Sequence, residues 1–332
     1  MTLHSHTPLQ DADAVGAMAT RTSLDRALVH RAAVSEVFLT DMRRTGETTT
    51  SAIAQLPGCH GFFGDHRGAA DIVDPMLLLE VARQATLASA HVLDVPQQTI
   101  LISRNFDLTL LDGPLAYRST EPLEVTIESH FEWQAVRGTR PRAGLCRQTI
   151  CLDDTAIANH WSDGKLMSRD QLADLREAQR GTPPVWTSAC APRAREDALS
   201  ARSVGRWNPL NVVIADARVE DGGVCARISP PWQNRALFDH GYDHLTMQLL
   251  TETARQAATL ARADAGGGLD SRALTTVSGR FRKFAEVDAE AQVRTVRGAD
   301  PNTQCVTIVQ GDETIAKIDI VFICPRSVRA VA

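Results

Sequence analysis

The chain has 332 residues, 43% of them apolar and 23% charged, with a formal net charge of −5. This is a globular composition, long enough for two domains or one large fused unit. Its acidic balance argues against nucleic acid as the main partner, and no stretch nears the run of about 18 apolar residues that spans a bilayer. Seven cysteines (59, 146, 151, 190, 225, 305 and 324) form an odd set without a C-x-x-C pair. That pattern is expected of free thiols in a reducing cytoplasm rather than of a zinc cluster.

Residues 1–22 are polar and Ala-rich without the apolar core of a secretory signal, and are expected to be disordered. From Ala27 to about Leu56 the sequence reads as two strands separated by Arg43-Arg-Thr-Gly46, with Val29, Val34, Val37, Phe38 and Leu39 as apolar positions. A Gly- and His-containing loop leads to Asp74-Pro75, an N-cap followed by proline at N1. The helix that starts there should run to about Leu93 and stop before Pro96. Strands follow at Ile100–Leu111, from Leu123 through Trp133, at Arg147–Leu152 and at Thr155–Trp161. Residues 169–203 read as a short polar helix and an inter-repeat linker. Beyond them come strands at Asn211–Glu220 and Val224–Ser229, a helix at Leu245–Ala263, and four further strands between Leu274 and Phe322.

One phrase occurs twice. Leu77-Leu-Leu-Glu80-Val-Ala-Arg83-Gln84-Ala has a counterpart in Leu249-Leu-Thr-Glu252-Thr-Ala-Arg255-Gln256-Ala, and an Asp-His pair precedes each (Asp65-His66, Asp239-His240). The two glutamates lie 172 residues apart, close to half the chain, which indicates an internal duplication. Glu, Arg and Gln fall at i, i+3 and i+4 and so share one helix face. A long apolar helix wrapped by an antiparallel sheet, twice in one chain, describes an α+β double hotdog. Its units are a first repeat at 23–168, the linker at 169–203 and a second repeat at 204–326.

A carboxylate and a guanidinium on a buried helix are costly unless they are paired or at work. Glu80 and Glu252 therefore either pair with the arginine at i+3, or act as general bases with pKa values raised toward neutrality by burial. Arg83 and Arg255 either neutralise such an acid or bind a phosphate or carboxylate in bidentate fashion. His66 and His240 either orient a carbonyl and shuttle a proton or are structural loop residues, and the same choice applies to His244. Gln84, Gln256 and Arg282 are further candidates for substrate contacts. The basic stretch Arg137, Arg140, Arg142 is either a solvated loop or a contact for an acidic carrier protein. Asp74 should satisfy the free amides of the first helix, whereas the second helix start has only Thr246, with Asp243 just outside it. Its amides are better placed to polarise a carbonyl, so the chemistry is expected to centre on Glu252 and Arg255, with Glu80 and Arg83 as a supporting site. No Walker loop, G-x-G-x-x-G or H-E-x-x-H motif is present, and no metal or cofactor is expected.

The segment Phe62-Phe63-Gly-Asp-His66 through Glu80 resembles the His…Glu segment of hotdog hydroxyacyl-carrier-protein dehydratases, with the same spacing of 14. Both halves resemble more specifically the A-factor biosynthesis family of γ-butyrolactone and furan signal synthases. The matching pieces are Leu28-Val29-His30-Arg31, Asp74-Pro-x-Leu-Leu-x-Glu80-x-x-Arg83-Gln84, Val204-Gly205-Arg206-x-x-Pro209-x-Asn211-Val212, Phe238-Asp-His240-x-x-Asp243-His244, Glu252-x-x-Arg255-Gln256 and Phe281-Arg282-x-Phe284-Ala-Glu286. Leu245-Thr-Met stands where the family usually has Pro-Gly, a departure at the start of the second helix. The resemblance implies transfer of a β-ketoacyl group from acyl carrier protein or coenzyme A to dihydroxyacetone phosphate, in a cytoplasmic monomer (already a pseudo-dimer) or homodimer. The alternatives are a dehydratase or thioesterase acting on acyl thioesters, and a non-catalytic binder of acyl or signal molecules.

Overall fold

The computed structural model describes residues 22–66, 72–111, 113, 115–116, 122–138, 140–190, 199–220, 223–264, 273–323 and 329–330. The expected disorder of residues 1–22 falls almost wholly outside them. Strands β1 (Leu39–Arg44), β2 (Thr49–Leu56), β3 (Ile100–Leu110), β4 (Leu115–Ala116), β5 (Leu123–Arg137), β6 (Arg140–Leu152) and β7 (Thr155–Met167) make the first half with helix α1 (Pro75–Val92). After α2 (Arg169–Arg180), the second half contains β8 (Ile214–Glu220), β9 (Gly223–Ile228), α3 (Met247–Asp264), β10 (Ala273–Phe281), β11 (Ala291–Arg297), β12 (Thr303–Gln310) and β13 (Glu313–Ile323). A short β14 (Arg329–Ala330) pairs with β4.

Twelve strands form one antiparallel sheet in the order β1-β2-β5-β6-β7-β3-β10-β13-β12-β11-β9-β8. Counted outward from the β3–β10 seam, the two halves have matching arrangements, so the chain is a double hotdog with pseudo-two-fold symmetry. At the seam Leu108 faces Val277 and Phe106 faces Gly279. A Cβ on Gly279 would lie 2.2 Å from Phe106 Cε1, so this register requires glycine. Strand faces alternate as burial demands: Ile318, Ile320 and Phe322 are buried, while Lys317 and Asp319 point outward.

Helix α1 begins as expected, with the Asp74 carboxylate accepting from Met76 N at 2.9 Å and Pro75 at N1. It is apolar nearly all round and buried along its length, which places it in the core rather than at the surface. Helix α2 carries a Ser168/Gln171 capping box and ends at Gly181 (φ 78°). It is polar, yet it docks through Arg176, which is 0% exposed and reaches Asp243 at 2.9 Å and Glu286 at 2.7 Å. No helix among the described residues is long and apolar enough to cross a membrane.

Two expected strand regions are shorter than the sequence suggested. The stretch from Ala27 to Phe38 contains 3-10 turns at Arg26–Val29 and Val34–Glu36 instead of a strand. Its backbone is satisfied from the helix: Gln84 accepts from Phe38 N at 3.0 Å and donates to Glu36 O at 2.7 Å. Gln256 does the same for Val213 N and Asn211 O, and β8 accordingly begins at Ile214, not Asn211. Beyond the helices, β6 and β7 extend past their expected limits, and Arg137 and Arg140 pair at the tip of the β5–β6 hairpin.

Candidate active site

In each half a second arginine, just before the first strand, completes the charged cluster on the helix. Arg31 approaches Glu80 Oε1 at 2.8 Å, Arg83 grips both carboxylate oxygens at 2.7 and 2.8 Å, and Gln84 donates at 2.7 Å. In the second half Arg206 meets Glu252 Oε1 at 2.9 Å, Arg255 meets Oε2 at 2.6 Å, and Gln256 donates at 2.5 Å. The sequence reading assigned no role to Arg31 or Arg206. Their signal was the repeated Val-x-Arg of Val29-His30-Arg31 and Val204-Gly205-Arg206.

These contacts decide between the two parts open to Glu80. Burial opposes ionisation of Glu80, but Arg31 and Arg83 outweigh it and hold its pKa down to about 2. Glu80 is thus an anion near neutral pH, paired with the arginine at i+3, which is the first of its two expected readings. Glu252 is 0% exposed, with its carboxylate enclosed by Arg206, Arg255 and Gln256. Gln84 and Gln256 are also 0% exposed and spend their amides on backbone and glutamate, not on an open cleft.

The loops that carry the Asp-His pairs cross between halves. Asp239 Oδ2 accepts from Ala32 N at 2.8 Å, and Arg31 donates to Ala236 O at 3.5 Å and to Gln248 Oε1, on α3, at 3.1 Å. Reciprocally, Arg206 donates to Phe62 O at 2.5 Å and Asp65 O at 3.1 Å. The Asp65 carboxylate in turn accepts from Trp207 N at 3.1 Å and Asn208 N at 3.0 Å. His66 forms a bridge pair with Arg206, and its Nε2 lies 2.9 Å from Ile72 O. So His240 sits with the Glu80–Arg83 cluster and His66 with Glu252–Arg255, the reverse of the pairing that their spacing along the chain suggested.

The same crossing redirects the helix starts. Asp74, the cap of α1, faces the second cluster and binds Arg255 at 2.8 Å. Helix α3 opens on the first cluster through Gln248. Its Thr246 Oγ1 accepts from Leu249 N at 3.2 Å, while Asp243 is turned away toward Arg176 and His244. The Met247 and Gln248 amides have no hydrogen-bond partner among the described residues, and neither does the buried Gln248 Nε2. The expectation that the second helix start keeps free donors fits this geometry, but that start is tied to the first cluster, where Gln248 Oε1 accepts from Arg31.

The clusters also differ in access. The Arg83 side chain is 26% exposed, whereas that of Arg255 is 10% exposed and held between two carboxylates. Beside this cluster stand three groups with no role assigned from the sequence: His30 and Tyr242, which feel the charge of Arg83, and Asp239, which lies 3.6 Å from Arg31. His240 Nδ1 lies 2.7 Å from Asp239 Oδ1, and the Tyr242 hydroxyl donates to the same oxygen at 3.0 Å. The His240 and Tyr242 rings pack at a tilt of 34° with centroids 4.1 Å apart. Burial opposes the ionisation of Asp239, yet the His240 hydrogen bond and Arg31 pull its pKa well below the usual carboxylate range. His244 is held by Asp243 at 2.6 Å and packs on Phe284, and Arg282 is exposed at the end of β10.

Comparison with known proteins agrees with this architecture. A model of the A-factor biosynthesis hotdog domain matches residues 12–166 and 189–325. A 2-oxo-3-(phosphooxy)propyl 3-oxoalkanoate synthase of Streptomyces virginiae is 27% identical, covering 89% of this chain and 95% of its own. A synthase with the same name from Streptomyces coelicolor is 26% identical, with coverage of 90% and 89%. Among solved structures, the dehydratase domain from the CurF module of curacin polyketide synthase aligns with TM-score 0.50 at 12% identity, over 86% of this chain and 98% of its own. The pyran synthase domain from module nine of the sorangicin pathway gives TM-score 0.50 at 17% identity, over 87% and 98%. These two likenesses show the fold, and the match across both halves shows the family: the chain belongs to the A-factor biosynthesis hotdog domain family.

Proposed function

We propose that this protein transfers a β-ketoacyl group from an acyl carrier protein or coenzyme A thioester to the hydroxyl of dihydroxyacetone phosphate. The product would be a 2-oxo-3-(phosphooxy)propyl 3-oxoalkanoate, an ester whose ring closure leads toward a butenolide, γ-butyrolactone or furan signal. The names of the Streptomyces relatives support the reaction. One observation carries its location: Arg83 is accessible beside an Asp-backed histidine and an open helix start, while Arg255 is closed off by Asp74. The reading therefore places turnover at the Glu80–Arg83 cluster, not at Glu252–Arg255.

In this assignment Arg83, fixed by Glu80, binds the phosphate. The Met247 and Gln248 amides at the start of α3 polarise the thioester carbonyl and hold the oxyanion of the tetrahedral intermediate. The acceptor oxygen bonds to the carbonyl carbon as its proton leaves to a base. Collapse then breaks the carbon–sulfur bond. His240 gives a proton to the departing sulfur, and the Asp239 carboxylate stabilises the imidazolium that does so.

The dehydratase alternative leaned on the spacing of His66 and Glu80, and these two residues belong to different clusters. Mass spectrometry of the protein mixed with a β-ketoacyl thioester and dihydroxyacetone phosphate tests the reading. The ester phosphate or its cyclised form supports it, and thioester hydrolysis or dehydration alone contradicts it.

A further inference from the structure

Proton transfer at the first cluster lacks one participant. The acceptor hydroxyl must lose a proton, and both carboxylate oxygens of Glu80 are already engaged by Arg31, Arg83 and Gln84. The neighbouring residue that the reaction has not yet used is His30.

His30 is held in an unusual state. Its backbone is left-handed at φ 51°, a conformation costly for a residue with a side chain. The equivalent position in the other half is Gly205, at φ 76° with no such cost. The two halves thus share the turn, but only the half with the accessible arginine carries an imidazole on it. The His30 Nε2 lies 3.2 Å from His91 Nε2, and His91 Nδ1 lies 3.0 Å from Val95 O. A carbonyl only accepts, so His91 carries its proton on Nδ1, and in a neutral pair its Nε2 accepts from His30. That fixes His30 as the Nε2–H tautomer and leaves a lone pair on Nδ1, which has no partner among the described residues.

We infer that His30 is the general base of the first cluster: its Nδ1, held free by His91, takes the hydroxyl proton of the three-carbon phosphate acceptor while His240 serves as the acid for sulfur. This rests on the transfer reading above. The oxygen–hydrogen bond breaks, its proton goes to His30 Nδ1 and its electron pair forms the new ester bond. His240 loses a proton to sulfur, and exchange with solvent resets both rings. The surroundings separate the two roles. His30 is kept neutral by burial and by facing His91, Arg83, His240 and Arg169, which hold its pKa at about 4, while His240 rests on a carboxylate. A phosphate seated on Arg83 would offset that cationic field, strengthening the base as the acceptor binds.

The test is His30→Gly, which copies the other half and relieves the backbone, so the variant folds. Ester formation is followed by mass spectrometry with and without added imidazole. The expected result is a kcat lowered about 100-fold or more with a KM for dihydroxyacetone phosphate within about three-fold of the parent, and restoration of about ten-fold by imidazole. His91→Phe, which releases the tautomer, should lower kcat about ten-fold with His30 still present. Turnover by His30→Gly close to that of the parent overturns the inference. So does a loss that imidazole leaves unchanged, or one confined to KM, since either marks a positioning role. If the parent protein itself makes no ester, the transfer reading fails, and this inference with it.

Discussion

Asp74 Oδ2 lies 2.8 Å from Arg255 Nη1, a contact that the first cluster lacks although both carry the same Glu-x-x-Arg-Gln face and a second arginine. Asp74 caps α1, and the corresponding cap of α3 is Thr246, which has no charge to offer Arg83. The second cluster is consequently a closed set of two arginines and two carboxylates. Each arginine is held by a carboxylate, and all four side chains are nearly or fully buried.

Removing a member of that closed set should damage the fold more than the chemistry. Arg255→Ala leaves the buried Asp74 without its arginine, while Glu252 keeps Arg206, an expected loss of about 3–5 kcal/mol in stability. Denaturant unfolding reads the loss, and the rate per folded molecule should stay close to that of the parent. Arg83→Ala should do the opposite, because Glu80 keeps Arg31.

The β3–β10 seam should be intolerant of a single methyl group. Gly279→Ala forces its Cβ against the Phe106 ring, at a cost of about 1–3 kcal/mol. Phe106→Leu in the same chain should recover part of the loss in thermal unfolding. A double variant no more stable than Gly279→Ala alone would contradict the proposed clash.

Stability should fall as pH drops from about 6.5 toward 4. Burial lowers the pKa of His160 to about 3, and burial followed by His91 and Arg83 lowers that of His30 to about 4. In this window the unfolded chain binds protons that the folded chain excludes, so stability rises with pH, by up to about 1.4 kcal/mol per pH unit for each site. Glu80 adds stability that is complete above about pH 4.5 and is lost as pH falls toward 2. His160→Gln should flatten the upper part of the curve, and an unchanged slope would show that this ring does not titrate as described.

The duplication, both long helices and the order of most strands were legible because they depend on local signals: apolar periodicity, Asp74-Pro75 at a helix start, and a repeated Glu-x-x-Arg-Gln. The shared helix face was legible for the same reason. What the sequence hid was which half each loop serves. Spacing along the chain paired His66 with Glu80, but Arg31 and Arg206 each reach across to the loop of the other half and reverse that pairing. The charge state of Glu80 was hidden too, since it depends on Arg31, 49 residues earlier. Ala27–Phe38 looked like a strand because its apolar residues are real core positions. The hydrogen bonds that a strand would need are made instead by Gln84, a side chain far along the sequence. The role of His30 depends on a left-handed turn and on His91, neither of which composition or periodicity reveals.

Turnover is proposed to belong to the Glu80–Arg83 cluster, with the loop and helix start of the other half. Initial rates of ester phosphate formation in Arg83→Met and Arg255→Met, each expressed per folded molecule, test it most directly. Arg83→Met should lower the rate about 100-fold, and Arg255→Met should change it within a few-fold. Loss of turnover in Arg255→Met with Arg83→Met unaffected would return the chemistry to Glu252 and contradict it.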